Sequence, residues 1–322
     1  MSKRILLTGA AGFVGSYVYP ALQAAGYTVR CATRNLARAL RKHPDREWVY
    51  CELNDPSSLA AAMDGCESAV YLVHCIGTCE DYPQREAVGA RNFVEAAERA
   101  GVRRVVYLGG AKPRGLASRH LRARLNTGSI LRSGAVSTIE LRAAMIIGAG
   151  SASWRMVCDL AARLPVMILP RWLGNYSYPI SIDDVVRALL ISLDLSTAES
   201  AVFELPGPEC LTHSEVLERT AILMGNRPRL IPVPILTPRL SSYWIGLVTS
   251  ADLEVARELV EGLKYDLLPS APSIWGQVPG YGPMPVTDAM TLAMADARAE
   301  NIPSLGATSR MARAAAADVL AS

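Results

Sequence analysis

Three glycines at intervals of three residues separate an apolar segment from a helical stretch near the amino terminus, within Ile5–Gly15 (ILLTGAAGFVG). Strand, glycine turn and helix in this order are the context in which a glycine triplet predicts a dinucleotide-binding turn. Gly9 permits a tight bend, Gly12 leaves space for a pyrophosphate, and Gly15 allows the helix to pack closely on the sheet. Backbone N–H groups and the helix dipole then favour the phosphates. An ordinary β–α turn without a ligand is the alternative.

The first 148 residues repeat a short apolar strand, a turn and an amphipathic helix. Strands are predicted at Arg4–Leu7, Thr28–Thr33, Trp48–Glu52, Ala69–Val73, Arg104–Leu108 and Thr138–Ile147. Helices are predicted at residues 15–25, 57–64, 84–100 and 118–133. This alternation predicts an α/β fold with a doubly wound parallel (Rossmann) sheet.

The regular pattern breaks after residue 148 and returns at Ile180–Leu193, where Asp183 and Asp184 are expected to cap a helix. We therefore predict a dinucleotide-binding domain from residues 1–148 and 179–205. Residues 149–178 and 206–322 are assigned to a smaller C-terminal substrate or lid lobe. The last forty residues are rich in alanine and are predicted to be partly helical.

Composition argues against several classes of protein. The net charge of the 322 residues is only +3, so no nucleic-acid partner is predicted. Apolar runs are too short to span a bilayer, so no membrane partner is predicted either. The seven cysteines accompany no export signal, which predicts reduced thiols in a cytoplasmic protein. Cys75 and Cys79 have no partnering His or Cys cluster, so no metal site is predicted.

The end of the second strand indicates which dinucleotide is preferred. NAD-specific sites usually place an acidic residue there, where it binds the ribose hydroxyls. The segment Val29–Asn35 has no acid, and Arg34 stands where a 2′-phosphate would lie. A guanidinium can pair with that phosphate, which favours NADP(H) over NAD(H). A solvated arginine at a strand end is the alternative.

These motifs resemble the atypical and extended short-chain dehydrogenase/reductases over about residues 3–265. The likeness rests on the glycine turn and on segments similar to the family's adenine loop, fifth and sixth strands and return to the sheet: Glu52–Asp55, Val105–Gly110, Glu140–Gly148 and Tyr178–Val185. Three further segments are similar to a bacterial NAD(P)H-binding subgroup: Tyr71–His74, Leu236–Trp244 and Leu259–Leu263.

The resemblance also assigns residues to the cofactor site. The expected cofactor-binding residues are Thr8, Gly9, Ala11, Gly12, Phe13, Val14, Gly15, Arg34, Glu52, Leu53, Val73, His74, Leu108, Gly109, Ala143, Ala144 and Met145. Such folds occur as monomers or dimers, so the sequence is compatible with a homodimer as well as with a monomer.

The chain departs from this family at the catalytic positions. Standard members use a Ser, a Tyr and a Lys to orient and protonate a carbonyl substrate. Here the fifth strand ends Leu108-Gly109-Gly110, and the helix that should carry Tyr-x-x-x-Lys has His120 and Arg124 at those two positions. Being four residues apart, they share one helix face.

Three functions are compatible with that departure. The first is an NADP(H)-dependent reductase of a hydrophobic small molecule (a carbonyl, quinone or conjugated C=C). In it His120 donates a proton, since an imidazole titrates near neutrality, and Arg124 either holds the nicotinamide ribose or stabilises an oxyanion. The second is a regulatory or assembly protein that binds the nucleotide without turnover. The third is a redox-neutral isomerase or epimerase that retains its cofactor. For the reductase, the residues expected to line the substrate pocket are Lys112, Trp154, Met167 and Tyr176.

Overall fold

The computed structural model describes residues 3–75, 81–163, 166–233 and 253–300. Residues 301–322 and the Leu236–Trp244 motif lie outside the described residues, and so does the side chain of Met167.

Strands and helices alternate through the first half of the chain. The strands are β1 (Arg4–Leu7), β2 (Thr28–Thr33), β3 (Glu47–Tyr50), β4 (Ser68–Tyr71), β5 (Arg104–Gly110), β6 (Ser137–Ala143), β7 (Ile146–Ile147), β8 (Val166–Pro170), β9 (Tyr176–Ser177), β10 (Ile180–Ser181), β11 (Ala201–Glu204), β12 (Leu211–Thr212) and β13 (Arg229–Val233). The helices are α1 (Phe13–Ala24), α2 (Leu36–Lys42), α3 (Pro56–Met63), α4 (Tyr82–Arg99), α5 (Arg119–Arg132), α6 (Ala152–Arg163), α7 (Ile182–Asp194), α8 (His213–Leu223), α9 (Leu253–Gly262) and α10 (Val286–Glu300).

The central sheet has seven strands in the order β11-β6-β5-β4-β1-β2-β3. All of its neighbouring strands pair in parallel. Apolar side chains cover both faces: Leu7 and Val70 belong to the core that includes α1 and α7, whereas Leu6 and Tyr71 belong to the core that includes α3 and α4. The predicted Rossmann α/β fold is confirmed, with the reversal of strand order between β1 and β4.

Some local predictions are wrong. The predicted strand Thr138–Ile147 divides into β6 and β7, because the Met145 carbonyl accepts a hydrogen bond from Ile180 N–H at 2.9 Å and the chain turns toward β10. The cap of α7 is Ser181, whose hydroxyl accepts the Asp184 backbone N–H at 3.0 Å. Helix α2 had no clear signal in the sequence.

The remaining elements form a lobe over the carboxyl ends of the strands. Strand pairs β7–β10, β9–β12 and β8–β13 accompany α6, α8, α9 and α10. The lobe is tied to α7, because Asp184 accepts hydrogen bonds from the Tyr281 hydroxyl and the Met284 backbone N–H. No described helix is both long and apolar enough to cross a bilayer.

Candidate cofactor and substrate site

In the glycine turn between β1 and α1, the backbone of Gly15 lies very close to the backbone of Gly9. Gly9 has a φ of 68°, a conformation that favours glycine. A Cβ on Gly15 would lie 2.3 Å from the Gly9 carbonyl oxygen, so helix and turn could not pack as they do with any other residue there. Thr8 fixes the turn to β4, since its hydroxyl donates to Val70 O and accepts from Leu72 N–H. The turn therefore has the form that a bound pyrophosphate requires.

A cavity of about 1320 Å³ extends from this turn across the carboxyl ends of the strands. It is larger than the roughly 300–1,000 Å³ of an ordinary ligand pocket, which is consistent with room for a dinucleotide and a second molecule. The residues predicted to bind the cofactor all lie in its wall: Thr8, Gly9, Ala11, Gly12, Phe13, Val14, Gly15, Arg34, Glu52, Leu53, Val73, His74, Leu108, Gly109, Ala143, Ala144 and Met145. His120 and Arg124 lie there too.

Arg34 stands at the rim of the cavity, just after β2. Its side chain is 65% exposed, and Nη1 lies 3.9 Å from the Glu52 carboxylate. Such an exposed pair contributes little stability, so the guanidinium can exchange this partner for an anion at small cost. A second arginine beside the turn was not predicted: Arg46 donates to the Ala10 carbonyl at 3.2 Å and stacks over the Tyr19 ring.

Two histidines face each other where the strands meet α5. The ring centroids of His74 and His120 are 6.2 Å apart. Burial, together with the positive charge of Arg124, lowers the pKa of His74 to about 3 and that of His120 to about 2. Both rings are therefore neutral near pH 7, and His120 Nδ1 has no hydrogen-bond partner among the described residues. This corrects the expectation that His120 titrates near neutrality.

Arg124 is held against the end of β5. Its Nη2 donates to the Leu108 carbonyl at 2.5 Å, and the Tyr107 hydroxyl donates to the Arg124 carbonyl at 3.0 Å. Gly110 leaves room for this contact, since a Cβ there would lie 3.2 Å from Arg124 Nε, closer than an ordinary van der Waals contact. That Nε has no partner among the described residues. The structure thus places a fixed positive charge next to the two histidines.

Two carboxylates in the same part of the cavity wall were missed by the sequence analysis. Glu86 of α4 is buried and accepts the Cys75 backbone N–H at 2.5 Å; burial raises its pKa. Glu258 of α9 accepts the His120 backbone N–H at 3.3 Å. Neither has a local sequence signal, because packing of α4 and α9 brings them to the site.

The predicted substrate-lining residues whose side chains the structure describes lie outside the cavity wall. Lys112 is exposed and lies outside the cavity wall that the described residues form. Trp154 is buried in the core of the lobe with Val286 and Met290, and Tyr176 is 46% exposed outside that wall. Helix α6 turns Met156 toward the cavity in place of Trp154.

The part of the wall contributed by the lobe is mainly apolar. It comes from α6, α8, α9 and the 3-10 helix Arg171–Gly174. The apolar residues are Met156, Val157, Leu160, Pro170, Trp172, Leu173, Val216, Leu217, Val255, Leu259, Val260 and Leu263. Pro170, Trp172 and Leu173 belong to the proline-rich segment 165–178 of the sequence.

Residues 9–139 match the model of a family described as NAD(P)H-binding. This part of the chain belongs to that NAD(P)H-binding family. The match begins at the first glycine of the turn and ends within β6, so it contains most of the residues predicted to bind the cofactor.

Relatives of the NAD(P)H-binding chain include several reductases. Ceramide reductase of Caulobacter vibrioides is 26% identical over 298 residues, which cover 86% of this chain and 92% of that protein. Cinnamoyl-CoA reductase 1 of Oryza sativa subsp. japonica is 33% identical over 111 residues, but these cover only 33% of that protein. The solved triphenylmethane reductase of Citrobacter sp., complexed with NADP(H), has the same fold, with a TM-score of 0.71, 17% identity, and coverage of 91% of this chain and all of that chain.

These likenesses show that the chain shares the Rossmann-type fold of the solved neighbours and that residues 9–139 are of an NAD(P)H-binding type. The family match covers residues 9–139, which include most of the predicted cofactor-binding residues. The apolar wall contributed by α6, α8 and α9 lies outside residues 9–139. The substrate has therefore to be inferred from the wall itself.

Proposed function

We propose that this protein is an NADP(H)-dependent reductase of a hydrophobic small molecule that carries a carbonyl, quinone or conjugated C=C group. One observation carries the proposal: a single cavity runs from the glycine turn, past His74, His120 and Arg124, to a largely apolar wall. Enclosed apolar pockets with a few polar groups are typical of small-molecule sites. A sugar nucleotide would leave most of its polar groups unmatched there.

The cofactor would be held along the carboxyl ends of the strands. The backbone of Gly9–Gly15 would bind the pyrophosphate, since the turn and the first turn of α1 present N–H groups there. Arg34 would pair with the 2′-phosphate, which makes NADP(H) the preferred dinucleotide. Glu52 and Leu53 would contact the adenosine part. The residues at the ends of β5 and β6 would lie against the nicotinamide half.

When bound, the reduced nicotinamide supplies a hydride, which adds to the carbonyl carbon or to the far carbon of a conjugated system. The electrons of the C=O bond pass to the oxygen, which then takes up a proton. His120 donates its ring N–H to that oxygen as a neutral imidazole, and the ring regains a proton from solvent, so that one solvent proton is consumed for each hydride transferred. A neutral histidine can polarise a carbonyl in this way. Arg124 stabilises the negative charge that develops on the oxygen.

The missing Ser, Tyr and Lys favour a second candidate, a protein that binds NADP(H) for regulation or assembly without turning it over. The two candidates differ in what the apolar wall is for. A reductase needs it to enclose a substrate, whereas a regulator does not.

The test is binding followed by turnover. NADPH and NADH are titrated by fluorescence, and quinones, enones and aldehydes are then screened for loss of reduced-nicotinamide absorbance. Tighter binding of NADPH and its oxidation by at least one apolar substrate are expected. Tight NADPH binding with no oxidation across the panel would overturn the reductase and favour the regulator. Absence of dinucleotide binding would overturn both.

A further inference from the structure

Two aromatic side chains with ring nitrogens lie in the largely apolar part of the cavity wall. His213 begins α8, and Trp172 lies in the 3-10 helix Arg171–Gly174; both line the cavity. They are 7% and 8% exposed. His213 Nε2 and Trp172 Nε1 have no hydrogen-bond partner among the described residues. A buried polar atom without a partner is unfavourable, so such pairs are uncommon in a wall that only needs to be apolar.

The two side chains come from the lobe, whereas His120 and Arg124 come from α5 and His74 follows β4. The backbone N–H of His213 donates to Asn175 O at 3.2 Å, which joins α8 to the segment after the 3-10 helix. Trp172 packs in the apolar cluster with Leu217. The described residues of α6, α8 and the 3-10 helix contribute no charged side chain to the cavity wall. This region therefore combines an apolar surface with uncharged hydrogen-bonding groups, among them His213, Trp172 and Ser153.

We propose that His213 and Trp172 bind an uncharged polar group, a hydroxyl or carbonyl, at the end of the substrate remote from the group that is reduced. This inference rests on the proposed function and deepens it. The substrate class becomes a hydrophobic molecule with two polar ends: a reducible group at His120 and a hydrogen-bonding group at His213. A purely hydrocarbon tail would leave both nitrogens unpaired, and the site would discriminate against it.

The chemistry of the pair explains why the bound group is uncharged. Burial lowers the pKa of His213 to about 4, so the ring is neutral near pH 7 and offers one donor and one acceptor. The indole offers a donor only. A hydroxyl can satisfy both, whereas a carboxylate would find no opposite charge. Because neighbouring atoms cover both nitrogens, the His213 ring and the Trp172 indole must both turn about Cβ–Cγ, a torsion with a broad profile, to reach the bound group.

The experiment uses matched pairs of aryl ketones that differ only in a distal hydroxyl or methyl group, at three chain lengths. Their reduction by NADPH gives kcat/KM, and the corresponding alcohols are titrated onto the NADP⁺-loaded protein by calorimetry. The wild type is compared with His213→Leu, Trp172→Phe and the exposed control Glu218→Gln. We expect a preference of at least tenfold for the hydroxyl compound at one length. Either wall substitution should remove it, and Glu218→Gln should retain it.

Failure of this inference can be told apart from failure of the proposed function. Equal kcat/KM and equal affinity for every pair would overturn the distal site while the reductase stands. A hydroxyl preference that survives both wall substitutions would overturn it as well. Preferential binding of the hydroxyl alcohols, lost in both variants, with no reduction of any ketone, would support the distal site and overturn the reductase.

Discussion

The backbone N–H of His120 donates a hydrogen bond to the carboxylate of Glu258, with 3.3 Å between N and Oε2. This contact joins α5, which follows a strand of the sheet, to α9, which covers the cavity. Because the backbone makes the bond, the His120 imidazole stays available to face the cavity. The same interaction therefore links the lobe to the start of the helix that carries the proposed proton donor.

Replacement of His120 by alanine should slow turnover and leave cofactor affinity unchanged. The imidazole is proposed to contact the substrate oxygen, and loss of one such donor typically lowers kcat by about a hundredfold or more. Steady-state kinetics and NADPH titration measure the two effects separately. His120→Gln, which retains an N–H donor, should recover part of the rate. Full activity of the alanine variant would remove His120 from the mechanism.

The pH dependence of kcat should show no inflection near pH 6.5 that belongs to His120. Burial and the charge of Arg124 hold its pKa far below that value, so the ring does not change charge between pH 5 and 8. An unperturbed histidine would titrate at about 6.5. The profile is measured with saturating NADPH in the wild type and in His120→Gln. An inflection near 6.5 that is present in the wild type and absent in the variant would contradict a neutral donor.

Arg34→Asp should abolish the preference for NADPH over NADH. A charge-assisted contact to phosphate is lost and a repulsive carboxylate takes its place, so NADPH affinity should fall by about tenfold to a hundredfold. Affinity for NADH, which lacks the phosphate, should change much less. Arg91→Asp is the matched control, since Arg91 is exposed on α4 and is not part of the cavity wall. An unchanged preference in Arg34→Asp would refute the role of Arg34.

Gly15→Ala should weaken dinucleotide binding by more than about tenfold and lower stability by about 1–3 kcal/mol. Its Cβ would lie 2.3 Å from the Gly9 carbonyl oxygen, so the turn would have to open. Gly276→Ala is the control, since a Cβ there meets nothing within 4 Å and its φ is not positive. Calorimetric titration with NADPH and urea unfolding measure both effects. Wild-type affinity in Gly15→Ala would refute the assignment of the turn.

Acid should destabilise the fold through His213. Burial lowers its folded pKa to about 4, whereas the unfolded value is about 6.5, so the unfolded chain binds the proton first as the pH falls. The resulting loss of unfolding free energy is about 2 kcal/mol between pH 7.5 and 5. Urea unfolding at the two pH values, in the wild type and in His213→Leu, measures it. An equal loss in both proteins would show that other groups cause the acid sensitivity.

Local patterns predicted the cofactor side of the molecule well. The bounds of β1 and β2 agree with the sequence prediction, because apolar runs bounded by turns define buried parallel strands. The glycine turn and the residues at the carboxyl ends of the strands meet in one cavity, since parallel strands bring their ends to one edge.

The substrate side could not be predicted in the same way. Glu86, Glu258 and His213 reach the cavity only through the packing of three helices that are far apart in sequence. Trp154 illustrates the reverse error: its size and hydrophobicity suit a pocket wall equally well, but α6 buries it in the core with Met290. Which face of a helix lines a cavity depends on the elements that pack against the helix. The sequence of that helix alone does not identify those elements.

The chain leaves the sheet after β6 and rejoins it at β11, which pairs in parallel with β6 itself. The polypeptide that supplies Met156 and Trp172 to the cavity is thus anchored at both ends to adjacent strands of the scaffold. Helix α7 in this segment packs into the core of the sheet, whereas Met156 and Trp172 face the cavity and belong to a separate apolar cluster. Redesign for new substrates should therefore start with the cavity-facing residues between β6 and β11. Substitutions there change the substrate wall and leave the glycine turn that is proposed to bind the pyrophosphate unchanged.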